Sequence, residues 1–208
     1  MSIDFIINKI NDNNDKLNDL FIKCHMIYKQ IPPSKNENKF PFGILIQMAI
    51  IKFFDEIFFK CVDLDEKHSY GSEYKNDCCL FIDEFHKINL SIKAKSTEKN
   101  DTIIINNYGN EIEQRDLSDL ISIILVIDTN KIYIIPHKEI EDKYINIKNA
   151  NISYRSSLLT FINKNKKDLY IELNKNDKFI SFMNTQYKDL CSINIYKDLY
   201  HKYCFNVD

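Results

Sequence analysis

The stretch Asp77-Cys78-Cys79-Leu80-Phe81-Ile82-Asp83-Glu84-Phe85-His86-Lys87-Ile88-Asn89-Leu90-Ser91-Ile92-Lys93-Ala94-Lys95 constrains this chain more than any other. From Lys87 onward it alternates without a break. Ile88, Leu90, Ile92 and Ala94 point one way, and Lys87, Asn89, Ser91, Lys93 and Lys95 the other. Strict period-two alternation predicts a half-buried β-strand. Cys78 to Asp83 predicts a shorter strand with Cys78, Leu80 and Ile82 on one face, and Glu84-Phe85-His86 is short enough to join the two as a hairpin. Register then follows from burial. A loop with an odd number of residues keeps both apolar sets on one face, whereas a slip of one residue would turn Leu80 and Ile82 to the polar side. The expected pairing sets Asp77 opposite Lys93, with Asp83 and Ser91 on the same solvent-facing side.

The rest of the chain supplies layers for that hairpin. Ile3, Ile6, Ile7 and Ile10 form one helical stripe, and Leu17, Leu20, Phe21, Cys24 and Tyr28 form a second. Pro32 and Pro33 open a loop. Phe42 to about Cys61 reads as a buried helix with Gln47, Lys52, Asp55, Glu56 and Lys60 on its wet side. Its charges make it a core helix and not a membrane span. Residues 63 to 76 read as a polar connection. Thr102 to Asn106 is a short strand, Asp116 caps a short helix at Leu117 to Leu120, and Ile121 to Ile127 is a fully apolar central strand. Asp128-Thr129-Asn130-Lys131 turns into Ile132 to Ile135, which Pro136 closes. Ser156 to Asn163 reads as helix and Leu169 to Leu173 as extended, while Ile180 to Tyr203 fits either state. The expected fold is an α/β domain with helices flanking a mixed sheet of about five strands. One domain spans 1–208, with a helical part at 1–62, a sheet core at 63–136 and a mixed C-terminal appendage at 137–208.

Composition excludes several kinds of chemistry. Three glycines (Gly43, Gly71, Gly109) cannot build a P-loop or a GxGxxG loop, and neither GxSxG nor HExxH occurs. Five histidines show no metal-ligand spacing, and His86 at the hairpin tip reads as solvated. The six cysteines show no CxxC spacing and read as reduced thiols of an intracellular, cytoplasmic protein. No secretory signal is expected, because Asp4 and the Asn/Asp run at 11–15 interrupt the apolar start. The net charge of -2 carries no global nucleic-acid signature. Locally, Lys143, Lys148, Arg155, Lys164, Lys166 and Lys167 form a run free of acids. Such a run is either an ordinary solvated face or a surface that contacts phosphates.

Asp77 at the start of one strand and Ser91-Ile92-Lys93 on the next resemble the PD-(D/E)xK nuclease superfamily, the restriction-endonuclease-like fold, in a form with Ser in the acid position. The resemblance covers roughly residues 45 to 136, with Asn76-Asp77 standing for the Pro-Asp. It extends to the preceding helix with its outward acid, Glu56, and to the strand pair ending in Ile134-Ile135-Pro136. What it implies is a Mg²⁺-dependent endonuclease (Mn²⁺ substituting) on double-stranded DNA, of the type II restriction class and homodimeric, with no membrane association. In that reading Asp77, the Ile92 carbonyl and Glu73 hold the metal. Asp77, Ser91, Lys93, Glu56 and Glu73 form the catalytic set, and Lys95, Lys148, Arg155 and Lys164 contact DNA. Glu111 and Glu113 are further candidates for the second carboxylate. The alternatives are a non-catalytic nucleic-acid-binding or assembly module of the same fold and an α/β protein-interaction domain. In the last of these, Asp77 and Lys93 are only a cross-strand surface pair worth about 0.2–1 kcal/mol.

Overall fold

The isoleucine stripe at the start forms α1 (Ile3–Asn11), which buries Ile6, Ile7 and Ile10. The Asn13 side-chain amide donates to the Lys9 carbonyl at 2.9 Å, satisfying an acceptor at the helix end as the chain turns into α2 (Asn14–Gln30). Leu17, Leu20 and Phe21 of α2 are buried as their spacing requires. Helix α3 (Pro41–Ile57) begins on a proline, whose fixed φ suits the first helical position. It buries Leu45, Ile46, Ala49, Ile50, Phe53 and Phe54. Gln47, expected on the wet side, is buried too. The structure is a computed structural model that describes residues 3–30, 41–64, 77–95, 102–107, 120–126, 129–148 and 151–173.

The helix expected to run to Cys61 stops at Ile57, and Lys60–Asp63 is a strand, β1. The Asp55 carboxylate accepts from the Cys61 N–H at 2.8 Å and so ties the last turn of α3 to that strand. Apolar residues run on through this break, so periodicity does not mark it. Pairing with the next strand decides it. The hairpin strands are β2 (Cys78–Phe81) and β3 (Lys87–Lys95). They are followed by β4 (Ile103–Asn107), β5 (Leu120–Val126), β6 (Lys131–Pro136), β7 (Ile145–Lys148), β8 (Asn151–Tyr154), α4 (Ser157–Asn165) and β9 (Tyr170–Glu172). Leu120, expected to end a helix, begins β5; residues 116–119 lie outside the described set, as does 180–203.

The protein is α/β, with a mixed six-stranded sheet in the order β1-β2-β3-β5-β6-β9. Only the β3–β5 pairing is parallel; the other neighbours run antiparallel. A parallel neighbour demands a crossover, and β4 lies within it but leaves the main sheet. It joins β8 and β7 in a separate three-stranded sheet. Side chains alternate between the faces. Leu90 and Ile92 of β3 share one face with Ile121, Ile123 and Leu125 of β5, and α3 packs across β1, β2 and β3. On the other face Ser91, Ser122 and Ile135 form one lateral row, and Lys93, Ile124, Tyr133 and Tyr170 the next. Helix α4 and the three-stranded sheet cover this second face. Asn163 of α4 accepts from the Lys131 ammonium and the Tyr133 hydroxyl, each at 3.0 Å.

The expected C-terminal appendage is, over residues 137–173, part of the same core. Strand β9 pairs with β6, and Tyr154, Leu158, Leu159, Ile162, Leu169 and Ile171 belong to the main apolar cluster. The β5–β6 turn holds Asn130 at φ 53, in the left-handed region that Asn tolerates better than most side chains. Its side-chain amide donates to the Leu173 carbonyl at 2.8 Å and pins the end of β9. Replacing Asn130 with Ala loses that bond and adds about 1–2 kcal/mol of backbone strain. The urea midpoint is expected to fall clearly in Asn130→Ala and by less in Asn130→Gly, which keeps the turn but not the bond.

Candidate active site

The hairpin forms with the parity that burial demands and with its register displaced by two. Phe81 pairs with Lys87 and Cys78 with Leu90, leaving the five residues Ile82 to His86 as the loop. One carboxylate organises that loop. Asp83 Oδ1 accepts from the N–H groups of Phe85 and His86, each at 2.8 Å, and the His86 ring nitrogen contacts Oδ2 at 2.8 Å. These contacts, led by the Phe85 N–H, hold the Asp83 carboxyl below the usual carboxylate range. His86 is therefore exposed but bonded, not simply solvated.

The paired register ends with Cys78 opposite Leu90, and the Asp77 N–H also turns to Leu90, so Asp77 does not lie opposite Lys93. A shift of two leaves every side chain on its expected face, so Lys93 still reaches Asp77, now on the diagonal. Its Nζ lies 3.0 Å from Oδ2 and 3.4 Å from Oδ1 of Asp77. The face is less open than the alternation implied. The Asp77 and Lys93 side chains are 17% and 31% exposed, and Ser91 is buried at 1%.

Asp77 also has a structural task. Its own N–H donates to the Leu90 carbonyl at 3.0 Å, and its carbonyl accepts from Leu64 at 3.1 Å. Where the β2–β3 ladder ends, the Ile92 N–H donates to the Asp77 carboxylate. In an antiparallel ladder a residue's N–H and C=O face the same partner strand. The Ile92 carbonyl thus faces the side on which β2 has just ended.

Chemically this corner combines a carboxylate, a backbone carbonyl and an ammonium. Mg²⁺ takes oxygen ligands, keeps several waters and needs only one or two protein carboxylates, so Asp77 and the Ile92 carbonyl fit such an ion as a minimal donor set. Among the described residues no group of three His, Cys, Asp or Glu side chains comes together to hold a metal. Glu56 is exposed at the end of α3 with its carboxylate 3.5 Å from Lys52. Glu73, Glu111 and Glu113 lie outside the described residues.

The residues expected to contact DNA are spread out. Lys95 ends β3, Arg155 follows β8 and Lys164 sits in the last turn of α4, the latter two exposed. Lys148 ends β7, and its side chain lies outside the described set. The basic run is partly neutralised by acids that precede it in sequence. Lys143 meets Glu141 at 2.7 Å and Lys166 meets Glu139 at 3.6 Å. Donation to the Glu141 carboxylate raises the Lys143 pKa above its ordinary value.

Behind Ser91 lies a polar seam that the hairpin alone does not disclose. Ser122 of β5, in register with Ser91, is buried. Its hydroxyl lies 3.3 Å from the Tyr154 hydroxyl, which lies 3.1 Å from His137 Nδ1. The His137 and Tyr154 rings stack with centroids 5.9 Å apart. Burial raises the Tyr154 pKa to about 12, the Ser122 contact opposing it in part. Burial also lowers the His137 pKa, with Asp142 pulling the other way. One signal for this seam was present in sequence: Ser122 is the only polar residue in the run from Ile121 to Ile127, and a buried hydroxyl needs a partner.

On the core face, Cys61 and Cys78 are buried free thiols. Their mutual contact and then burial push the Cys78 thiol well above its ordinary value. Comparison of the chain with protein-family models, with curated proteins and with solved structures finds no match in any of the three.

Two outcomes are expected. Asp77→Ala removes both the ion pair and the acceptor for the Ile92 N–H, and should lower unfolding free energy by about 1–3 kcal/mol. Asp77→Asn keeps an oxygen for that N–H and should lose less, as urea denaturation would show. The second concerns His137, whose folded-state pKa lies below its ordinary 6.5. Its contribution to stability is full above the ordinary value and is lost as pH falls through the lowered one. Stability curves of wild type and His137→Asn should therefore converge on acidification, measured by urea unfolding between about pH 8 and about pH 5.

Proposed function

We propose that this chain is a Mg²⁺-dependent endonuclease that hydrolyses phosphodiester bonds of double-stranded DNA, of the restriction-endonuclease-like fold and type II restriction class, acting as a homodimer. The observation that carries the reading is the contact at 3.0 Å of Lys93 in β3 with Asp77, the residue before β2, beside the Ile92 peptide. Further support comes from the preceding helix α3 with Glu56 exposed and from the antiparallel pair β5–β6 ending in Pro136. Among the described residues no helix is long and apolar enough to cross a membrane.

The residues divide the work by their chemistry. The Asp77 carboxylate and the Ile92 carbonyl would hold the ion, with Glu73 the candidate for a second carboxylate. When bound, Mg²⁺ supplies charge neutralisation at the scissile phosphate and an acidified water. Lys93 stands beside the carboxylate, where its ammonium orients a water and offsets negative charge developing on the phosphate. Lys95, Lys148, Arg155 and Lys164 serve as phosphate contacts, which makes binding steeply salt-dependent.

A second reading is a non-catalytic nucleic-acid-binding or assembly module of the same fold. It is favoured by Ser91, buried at 1% exposure in the position where the superfamily's pattern has an acid, and by the use of Asp77 as a backbone acceptor. Incubation of plasmid DNA with the protein and Mg²⁺, beside Lys93→Ala, separates the two. Discrete fragments from the wild type and intact plasmid from the variant are expected. Intact plasmid from both, with binding that weakens as salt is raised, would select the module.

A further inference from the structure

The buried hydroxyls next to the Asp77–Lys93 pair are not walled in by apolar side chains. They continue sideways across the sheet. The Asp77 carboxylate accepts from the Ile92 N–H, Ser91 precedes Ile92 and is in register with Ser122, and the Ser122 hydroxyl meets Tyr154, whose own hydroxyl meets His137 Nδ1. Ser91, Ser122 and Tyr154 are buried at 1%, 0% and 0%, so these hydroxyls find their partners within the protein, Ser122 and Tyr154 in each other. We propose that His137, in the turn after β6, and Tyr154, in the second sheet, are positioning residues for the Asp77–Lys93 site, setting the direction in which this row of hydroxyls donates.

The direction follows from the proton inventory. With His137 neutral and Nδ1 unprotonated, the Tyr154 hydroxyl donates to Nδ1. The Tyr154 oxygen is then free to accept, and the Ser122 hydroxyl donates to it. If His137 takes up one proton, Nδ1–H becomes a donor to the Tyr154 oxygen. Tyr154 must then turn its own O–H toward Ser122, which becomes the acceptor. One proton gained at the ring therefore reverses two hydrogen bonds and moves no other proton. Burial favours the neutral ring, and a tyrosine whose pKa lies near 12 stays a donor throughout. Among the described residues the charged group that acts on the ring is Asp142, from the 3-10 turn Asp142–Tyr144, and Tyr154 is the titratable group stacked on it. Lys138 and Glu139 follow His137 in its own turn, with Glu139 engaged by Lys166.

The reversal reaches the site through the backbone. Ser91 and Ile92 share the peptide whose N–H donates to the Asp77 carboxylate. A change in what Ser122 offers to its in-register neighbour is felt at that peptide. This inference rests on the preceding functional reading only for what the site does; the coupling is a property of the fold.

The Ile92 amide is a built-in reporter, so the test needs no activity. In a pH titration of the full chain by ¹H–¹⁵N correlation NMR, the Ile92 amide is expected to show a step whose midpoint matches that of the His137 ring signals. The step should vanish in Tyr154→Phe, which breaks the row. It should also vanish in His137→Asn, whose carbonyl oxygen stands near the place of Nδ1 and accepts at every pH. A purely packing role would lower the melting temperature of both variants and leave no such step in the wild type. An Ile92 amide that is flat through the His137 titration overturns the proposal, as does a step that survives in Tyr154→Phe. Should Tyr154→Phe not fold, persistence of the step in His137→Asn decides against it equally. Intact plasmid in the cleavage assay, with the NMR step present, removes the nuclease reading and leaves this coupling in place.

Discussion

The Ile92 N–H, left at the point where β2 stops, is the group on which the arrangement of this protein turns. A buried backbone donor without a partner is costly, and β3 runs on past its neighbour. The Asp77 carboxylate takes that donor, and Lys93 then offsets the carboxylate's charge. Carboxylate, peptide and ammonium are therefore held together by the requirements of the sheet itself. Any chemistry at this corner uses a geometry that strand pairing already maintains.

The consequence is a site with two allegiances. A partly exposed ion pair contributes little to stability, about 0.2–1 kcal/mol, whereas an acceptor for a backbone N–H is worth more when it is the only one at hand. Asp77 does both. Covering that face with α4 and the three-stranded sheet raises the stakes, because hydroxyls that would otherwise be hydrated must bond to one another. The row from Ser122 through Tyr154 to His137 is what that cover leaves behind. It joins the second sheet to the first through polar contacts in the middle of an otherwise apolar interface.

Much of the architecture is legible from residue spacing. The stripes in α1 and α2, the alternation of β3, the apolar run of β5 with Ser122 as its one polar residue and the closure of β6 at Pro136 all read correctly, because each is a local pattern along the chain. The start of β1 does not, since Phe58 to Val62 looks the same in a helix or a strand. The hairpin loop is also longer than its turn residues imply. Asp83 stabilises it with side-chain bonds that no pattern of glycines announces. Of the site, Asp77 and Lys93 come together as expected, while Glu56 pairs with Lys52 instead. Ser122, Tyr154 and His137 went unread because 15 residues or more separate each from the next in sequence.

Alternation along β3, by itself, determined which side chains share a face: the period of a strand is two, and one face must be buried. It could not determine the neighbour across the gap. A register slipped by two residues changes no burial, so only the pairing of whole strands decided where Asp77 meets β3. Burial of the polar face likewise depended on what lay above it, and the choice belonged to β4, β7, β8 and α4. Local pattern encodes direction; partners at long range are set by which surfaces close against each other.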